Sequence, residues 1–206
     1  MQVRRGVMGL VGALAGGCLY QLGEVWAQGL IPARLALGLL VFGAVFFGGW
    51  LAMAGPLRLG RAAVGAGVLG GGVAALVLLA SLRFDVAEDV FGAPDMVLAV
   101  LILATLPLPF WIAASDRGFA GRGWAHYPTL FAESWGIVVR FGAAAVFTAV
   151  MWALVWLSDA LLTLVGVEVI GDALALGAVP AVLTGAGFGL ALGVVSELPD
   201  YVSPYL

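Results

Sequence analysis

The chain is poor in charge, lysine, histidine and cysteine, and each shortage excludes a class of protein. Charged residues make up 10% of its 206 residues, and the nine basic residues are all Arg. Average globular domains carry about 25% charged residues, so this composition excludes an ordinary soluble enzyme, a nucleic-acid-binding domain and an intrinsically disordered chain. The single cysteine, Cys18, excludes an internal disulfide. The single histidine, His126, cannot supply a metal cluster.

The chain is instead rich in long hydrophobic segments. Hydrophobic residues make up 63% of it, and breaking it at its charges leaves six uncharged runs of 18 to 24 residues. A helix needs roughly 20 apolar residues to cross a bilayer, and none of these runs alternates as a barrel strand does. The sequence therefore predicts an all-α integral membrane protein with one transmembrane domain over residues 1–206, which we expect to be either a short protein or the N-terminal part of a longer one. The predicted spans lie near residues 6–26, 35–55, 62–82, 96–115, 137–160 and 178–196.

The arginines predict the orientation of these spans. If the N-terminus is cytoplasmic, six arginines fall in cytoplasmic segments and only Arg34 and Arg83 fall outside. Cytoplasmic loops of membrane proteins carry an excess of basic residues, so both termini are predicted to be cytoplasmic. The abundance of Gly and Ala and the absence of Lys favour a bacterial cytoplasmic membrane. The six cytoplasmic arginines are Arg4, Arg5, Arg58, Arg61, Arg117 and Arg122.

One segment outside the spans has a helical pattern of its own. Within residues 123–136, Tyr127, Phe131 and Trp135 recur every four residues, while Glu133 points elsewhere. This pattern predicts a short amphipathic helix that lies in the membrane interface between spans four and five.

Five residues, among them Glu133, are candidates for function or for special structure. Pro107 and Pro109 should break span four, either as a simple packing kink or as a hinge that lines an ion path. Arg140 lies at the cytoplasmic edge of span five, where we expect it to pair with Glu133, Asp116 or a lipid phosphate. His126, beside Tyr127, is expected to make a local hydrogen bond rather than to act in catalysis.

Cys18 follows a short apolar run and two arginines, an order that resembles a lipoprotein signal. Such signals usually have a large aliphatic residue three positions before the cysteine, where this chain has Ala15. We therefore favour a small core cysteine inside the first span.

Small residues recur every four positions in several spans, which places them on one side of each helix. The longest series are in spans three and six, and we predict that they pack inside the bundle. Span three holds two adjacent series, Ala63–Gly67–Gly71–Ala75 and Ala62–Ala66–Gly70–Ala74, and span six holds Gly177, Ala181, Gly185, Gly189 and Gly193.

The segment His126–Trp135, followed by Arg140 and by Phe147–Gly166, resembles a bacterial membrane family known as domain of unknown function 4153. The resemblance covers about residues 30–206. It implies a multi-pass inner-membrane protein and carries no catalytic residue to this chain.

Two functional hypotheses follow from the sequence. The favoured one is a non-enzymatic scaffold or accessory subunit of a membrane complex, because small-residue series abound and polar residues are missing from the middle of the spans. The alternative is a part of a transporter or channel with a proline-broken fourth helix. Neither hypothesis requires a cofactor, a metal or a nucleic acid, and both require the lipid bilayer and either other membrane subunits or self-association.

Overall fold

A computed structural model describes residues 2–87, 89–92, 94–117 and 123–202. Within these residues the secondary structure is helical, and six helical segments are long and apolar enough to cross a membrane. The prediction of an all-α membrane bundle is thereby confirmed. The helices are α1 (Gln2–Ala27), α2 (Ala33–Met53), α3 (Leu59–Ser81), α4 (Asp89–Gly92), α5 (Pro94–Thr105), α6 (Pro107–Arg117), α7 (Tyr127–Leu164), α8 (Val169–Ala175) and α9 (Ala178–Val202).

The chain divides into two compact units. The terminal unit contains the residues up to Tyr20 together with those from Val139 onward, and the central unit is Gln21–Val138. The boundaries fall inside α1 and α7, so each of these helices contributes to both units.

In the terminal unit, α1 and α9 pack backbone against backbone. A Cβ added to Gly12 would overlap the carbonyl of Gly185, and a Cβ added to Gly185 would overlap the carbonyl of Gly12. Gly16 meets Ala181 one turn further along α1, so the two helices are antiparallel. Two helices can approach each other this closely only where both carry small residues such as Gly and Ala. Close packing of this kind stabilises the association of helices in lipid.

The predicted series on span six lies in this interface. A Cβ on Gly189 would overlap the backbone of Met8, and a Cβ on Gly193 would lie 3.1 Å from the Cα of Arg5. With Gly185, these glycines line the side of α9 that contacts α1.

Helix α7 packs on another side of α9, which carries Thr184 and Phe188. The indole Nε1 of Trp152 donates a hydrogen bond of 3.0 Å to the hydroxyl of Thr184. The rings of Phe141 and Phe188 meet edge to face with centroids 5.5 Å apart. Both contacts fall within about one turn of α9, in its first half, so they hold α7 against that part of α9.

In the central unit, α2 and α3 form the closest pair. A Cβ on Gly70 would lie 3.2 Å from the carbonyl oxygen of Phe42. Gly38 is covered by the side chain of Leu78. The side of α3 that faces α2 is the series Ala62, Ala66, Gly70 and Ala74, each of which is buried. Further apolar residues complete this core, namely Leu37, Val41, Val45, Val73, Val77, Ala87 and Val90.

The prediction that Gly67 and Gly71 pack inside the bundle is wrong. A Cβ on either residue would meet no atom within 4 Å, and Gly71 is exposed. The adjacent series packs instead, because the ring of Phe42 and the backbone of Phe42 and Phe46 on α2 lie against Gly70.

The predicted amphipathic segment is helical, but it is not a separate helix. It continues into span five as α7, whose 38 residues have a length of roughly 57 Å at about 1.5 Å per residue. No proline follows Pro128 in this helix, and a glycine such as Gly136 costs a helix only about 1 kcal/mol. The helix is longer than a hydrocarbon core of about 30 Å, so part of it must lie outside the core.

Candidate functional site at the break in span four

Span four is interrupted as predicted. Helix α5 ends at Thr105 and α6 begins at Pro107, with Leu106 between them in a turn. Pro107 has no backbone N–H to donate, which removes a hydrogen bond from the middle of an apolar segment. The hydroxyl of Thr105 donates to the carbonyl of Leu101, and the N–H of Leu106 donates to Ile102. These bonds keep the last turn of α5 regular up to the break.

Below the break, α6 packs on a glycine of α3. The indole of Trp111 lies directly over Gly65, with its Cδ1 2.7 Å from where a Cβ would be. Leu108 is buried, with its Cδ2 3.6 Å from where a Cβ on Gly49 of α2 would be, and Pro109 is also buried. Two helices of the central unit therefore present glycines to the bulky side chains that follow the break.

A small cavity of about 110 Å³ adjoins this contact. An apolar cavity of this size is expected to stay free of ordered water because water needs polar partners. The cavity offers no chain of polar groups along which an ion could move. Its lining residues are Met53, Gly65, Val68, Leu69, Pro107, Leu108 and Trp111.

The end of α6 is held by an arginine. The guanidinium of Arg61, at the start of α3, donates to the backbone carbonyl of Ser115 at 3.2 Å. The last carbonyls of a helix lack partners within it and carry partial negative charge, so a cation there is favourable. At the other end of α2 and α3, Arg34 donates to the carbonyl of Phe84 at 3.2 Å. Sequence reasoning treated both arginines only as signals of orientation, and the carbonyls they contact have no signature in the sequence.

The remaining candidates are not brought into this site. His126 shares a hydrogen bond of 2.9 Å between its Nδ1 and the hydroxyl of Thr129, within the first turn of α7. Arg140 and Glu133 are half-buried along α7 and belong to different units. Asp116, a predicted partner of Arg140, has its side chain outside the described residues. Cys18 lies in α1 as expected but is exposed there, so the expectation of a core position for it is wrong.

Nothing in the described residues resembles a metal centre, since no three side chains of His, Cys, Asp or Glu come together there. No family model, curated protein or solved structure was found to match the chain. The resemblance to the family of domain of unknown function 4153 stays a prediction, and function has to be inferred from the geometry.

Proposed function

We propose that this protein is a non-enzymatic scaffold or accessory subunit that binds other membrane helices. The observation that carries the proposal is that the two small-residue series of α3 differ in burial. One series of small residues is buried against α2, while the adjacent series, with Gly67 and Gly71, is left open. A small-residue face lets another helix approach closely, and close approach is what stabilises helix association in lipid.

A second helix supports the same proposal. Small residues also recur every four positions on α7, at Ala145, Ala149 and Ala153, and all three are exposed. The side of α7 that contacts α9 is the neighbouring one, where Met151 covers Gly187 and Trp152 donates to Thr184. The terminal unit thus offers a second face on which a partner helix can pack.

The polar side chains that are buried in the described residues also fit a structural role. Ser81 donates to the carbonyl of Leu78, and Thr148 donates to the carbonyl of Ala144. Both hydroxyls are satisfied by their own helix, so neither is positioned to bind a substrate or to transfer a proton.

The test is co-purification after mild detergent extraction. We expect the natural protein to retain partner subunits, or further copies of itself, at a constant ratio. Gly71→Leu should weaken this association roughly 5- to 150-fold, because overpacking an interface costs about 1–3 kcal/mol. The melting temperature of the variant itself should not fall, since a Cβ added to Gly71 would meet no atom of the neighbouring helices within 4 Å.

Gly72→Leu is the matched control for this experiment. Gly72 is also exposed with no atom within 4 Å of an added Cβ, but it lies about 100° further around α3. It falls between Val68 and Leu76, so it is not part of a small-residue series. Extraction of the natural protein without any partner at constant ratio would contradict the scaffold proposal.

The second candidate function is a part of a transporter or channel. It is favoured by the break at Leu106, because irregular backbone at membrane depth is found mainly where helices pack on it or where it lines a cavity. The apolar lining of the adjoining cavity weighs against it, so it ranks second.

We further propose a bacterial inner-membrane location with both termini in the cytoplasm, which the arginine distribution supports. A single Cys at position 140, in a Cys18→Ser background, should react readily with a membrane-impermeant thiol reagent added from the cytoplasmic side. Ready reaction from the outer side would reverse the topology. Complete protection from both sides would mean that Arg140 is buried among helices, and the transporter hypothesis would then outrank the scaffold.

A further inference from the structure

The terminal unit contains an apolar groove that the proposed scaffold role does not use. The groove lies along α7 and is closed at one end by α8, with a volume of about 350 Å³. Its residues on α7 extend over roughly 16 Å at about 1.5 Å per residue. They are Phe147, Val150, Met151, Leu154, Val155 and Ser158, and Ile170 completes the lining from α8.

A carboxylate lies at the end of the groove where α7 and α8 meet. Asp159 follows the lining residue Ser158, and its Oδ1 is 3.5 Å from where a Cβ on Gly171 would lie. This oxygen is buried and has no hydrogen-bond partner in the part of the chain that the structure describes, whereas Asp159 as a whole is half-buried and can be reached from the surface. A buried carboxylate oxygen without a partner is costly, so the site favours a cation.

The nearby hydroxyl groups do not supply that partner. Ser158 donates its hydroxyl to the carbonyl of Leu154, and Thr163 donates to the backbone carbonyl of Asp159. Both donors are therefore engaged with their own helix.

The arginines of this unit lie at its other end. Arg140 precedes Asp159 on α7 by roughly 28 Å at about 1.5 Å per residue. Arg5 lies against Gly193, whereas the start of α9, which follows α8 directly, meets Tyr20 through Gly177. A cation at Asp159 must therefore come from outside this unit.

We propose that the groove binds one acyl chain of a phospholipid whose primary ammonium group donates a hydrogen bond to Asp159. The apolar lining matches the chain, and the charge of the carboxylate matches the headgroup. The nearby Glu168 and Asp172 are exposed and add negative charge, which disfavours an anionic lipid at the same place.

The experiment is lipid competition followed by native mass spectrometry of the full-length protein in detergent. The protein is delipidated and then offered phosphatidylethanolamine, phosphatidylcholine and phosphatidylglycerol of identical acyl chains. Phosphatidylethanolamine should be retained about tenfold better than either competitor, the size expected for one hydrogen bond to a charged group. The quaternary ammonium of phosphatidylcholine has no N–H to donate.

Two pairs of variants locate the site. Asp159→Asn should remove the preference, whereas Asp95→Asn, which removes the same charge from an exposed position of the central unit, should leave it. Val150→Trp should fill the groove and lower retention of every lipid, whereas Val146→Trp, one turn earlier on α7 and outside the lining, should not.

Equal retention of the three lipids by the natural protein would overturn the proposal, as would an unchanged preference in Asp159→Asn. Retention of phosphatidylcholine equal to that of phosphatidylethanolamine would overturn the hydrogen bond to Asp159. If a variant fails to fold, the comparison among lipids on the natural protein still decides the outcome.

Discussion

Gly189→Leu should destroy the stable packing of α1 against α9. A side chain at this position would overlap the backbone of Met8, and backbone cannot move aside as the end of a flexible side chain can. Overpacking usually costs about 1–3 kcal/mol, and we expect at least the upper part of that range here. The measurement is the melting temperature of the purified protein in detergent, together with its yield after membrane extraction.

Gly142→Leu is the control for this prediction. Gly142 lies on α7 in the same unit, is exposed, and has no atom within 4 Å of an added Cβ. It should keep the melting temperature of the natural protein. Equal melting temperatures for Gly189→Leu and Gly142→Leu would show that the contact of α1 with α9 does not stabilise the terminal unit.

The second large effect is expected at Gly65, in the central unit. Gly65→Leu should push the indole of Trp111 away from α3 and lower the stability by about 1–3 kcal/mol. Gly67→Leu, two residues further along the same helix, should have no effect on the isolated protein because its side chain enters open space. Thermal unfolding in detergent measures both.

A double variant identifies the contact that is responsible. Trp111→Ala removes the indole that Leu at position 65 would meet, so Gly65→Leu should destabilise less in that background than in the natural protein. Such non-additivity is the signature of residues in direct contact. Strictly additive effects would mean that α6 does not rest on Gly65.

Length and hydropathy were enough to predict the six apolar segments, because a bilayer imposes a minimum helix length. The break in span four was also predictable, since Pro107 removes a backbone donor in any helical context. The extent of the helix that contains span five was not predictable. Its helix begins at Tyr127 rather than near residue 137, because interfacial and apolar residues are equally compatible with helical backbone.

Spacing also could not decide which small residues pack. On α3 the two series differ by one position and are equally regular, and the choice between them depends on the shape that Phe42 and Phe46 give to α2. On α1 the sequence analysis did not single out Gly12 and Gly16, although their four-residue spacing is the same signal. The spacing of small residues identifies the faces of a helix on which another helix can pack. Which of these faces is used depends on the shape of the neighbouring helix.

The pairing of Gly12 with Gly185 also has a consequence for the order in which helix contacts form during synthesis. The two glycines are separated by more than 170 positions, so α1 enters the membrane long before its partner has been translated. At about 5–20 residues per second, the delay is roughly 10–35 s. During that interval the glycine face of α1 is available to the insertion machinery, to lipid or to another nascent chain. The contact between α1 and α9 can therefore form only after the helices between them have been synthesised.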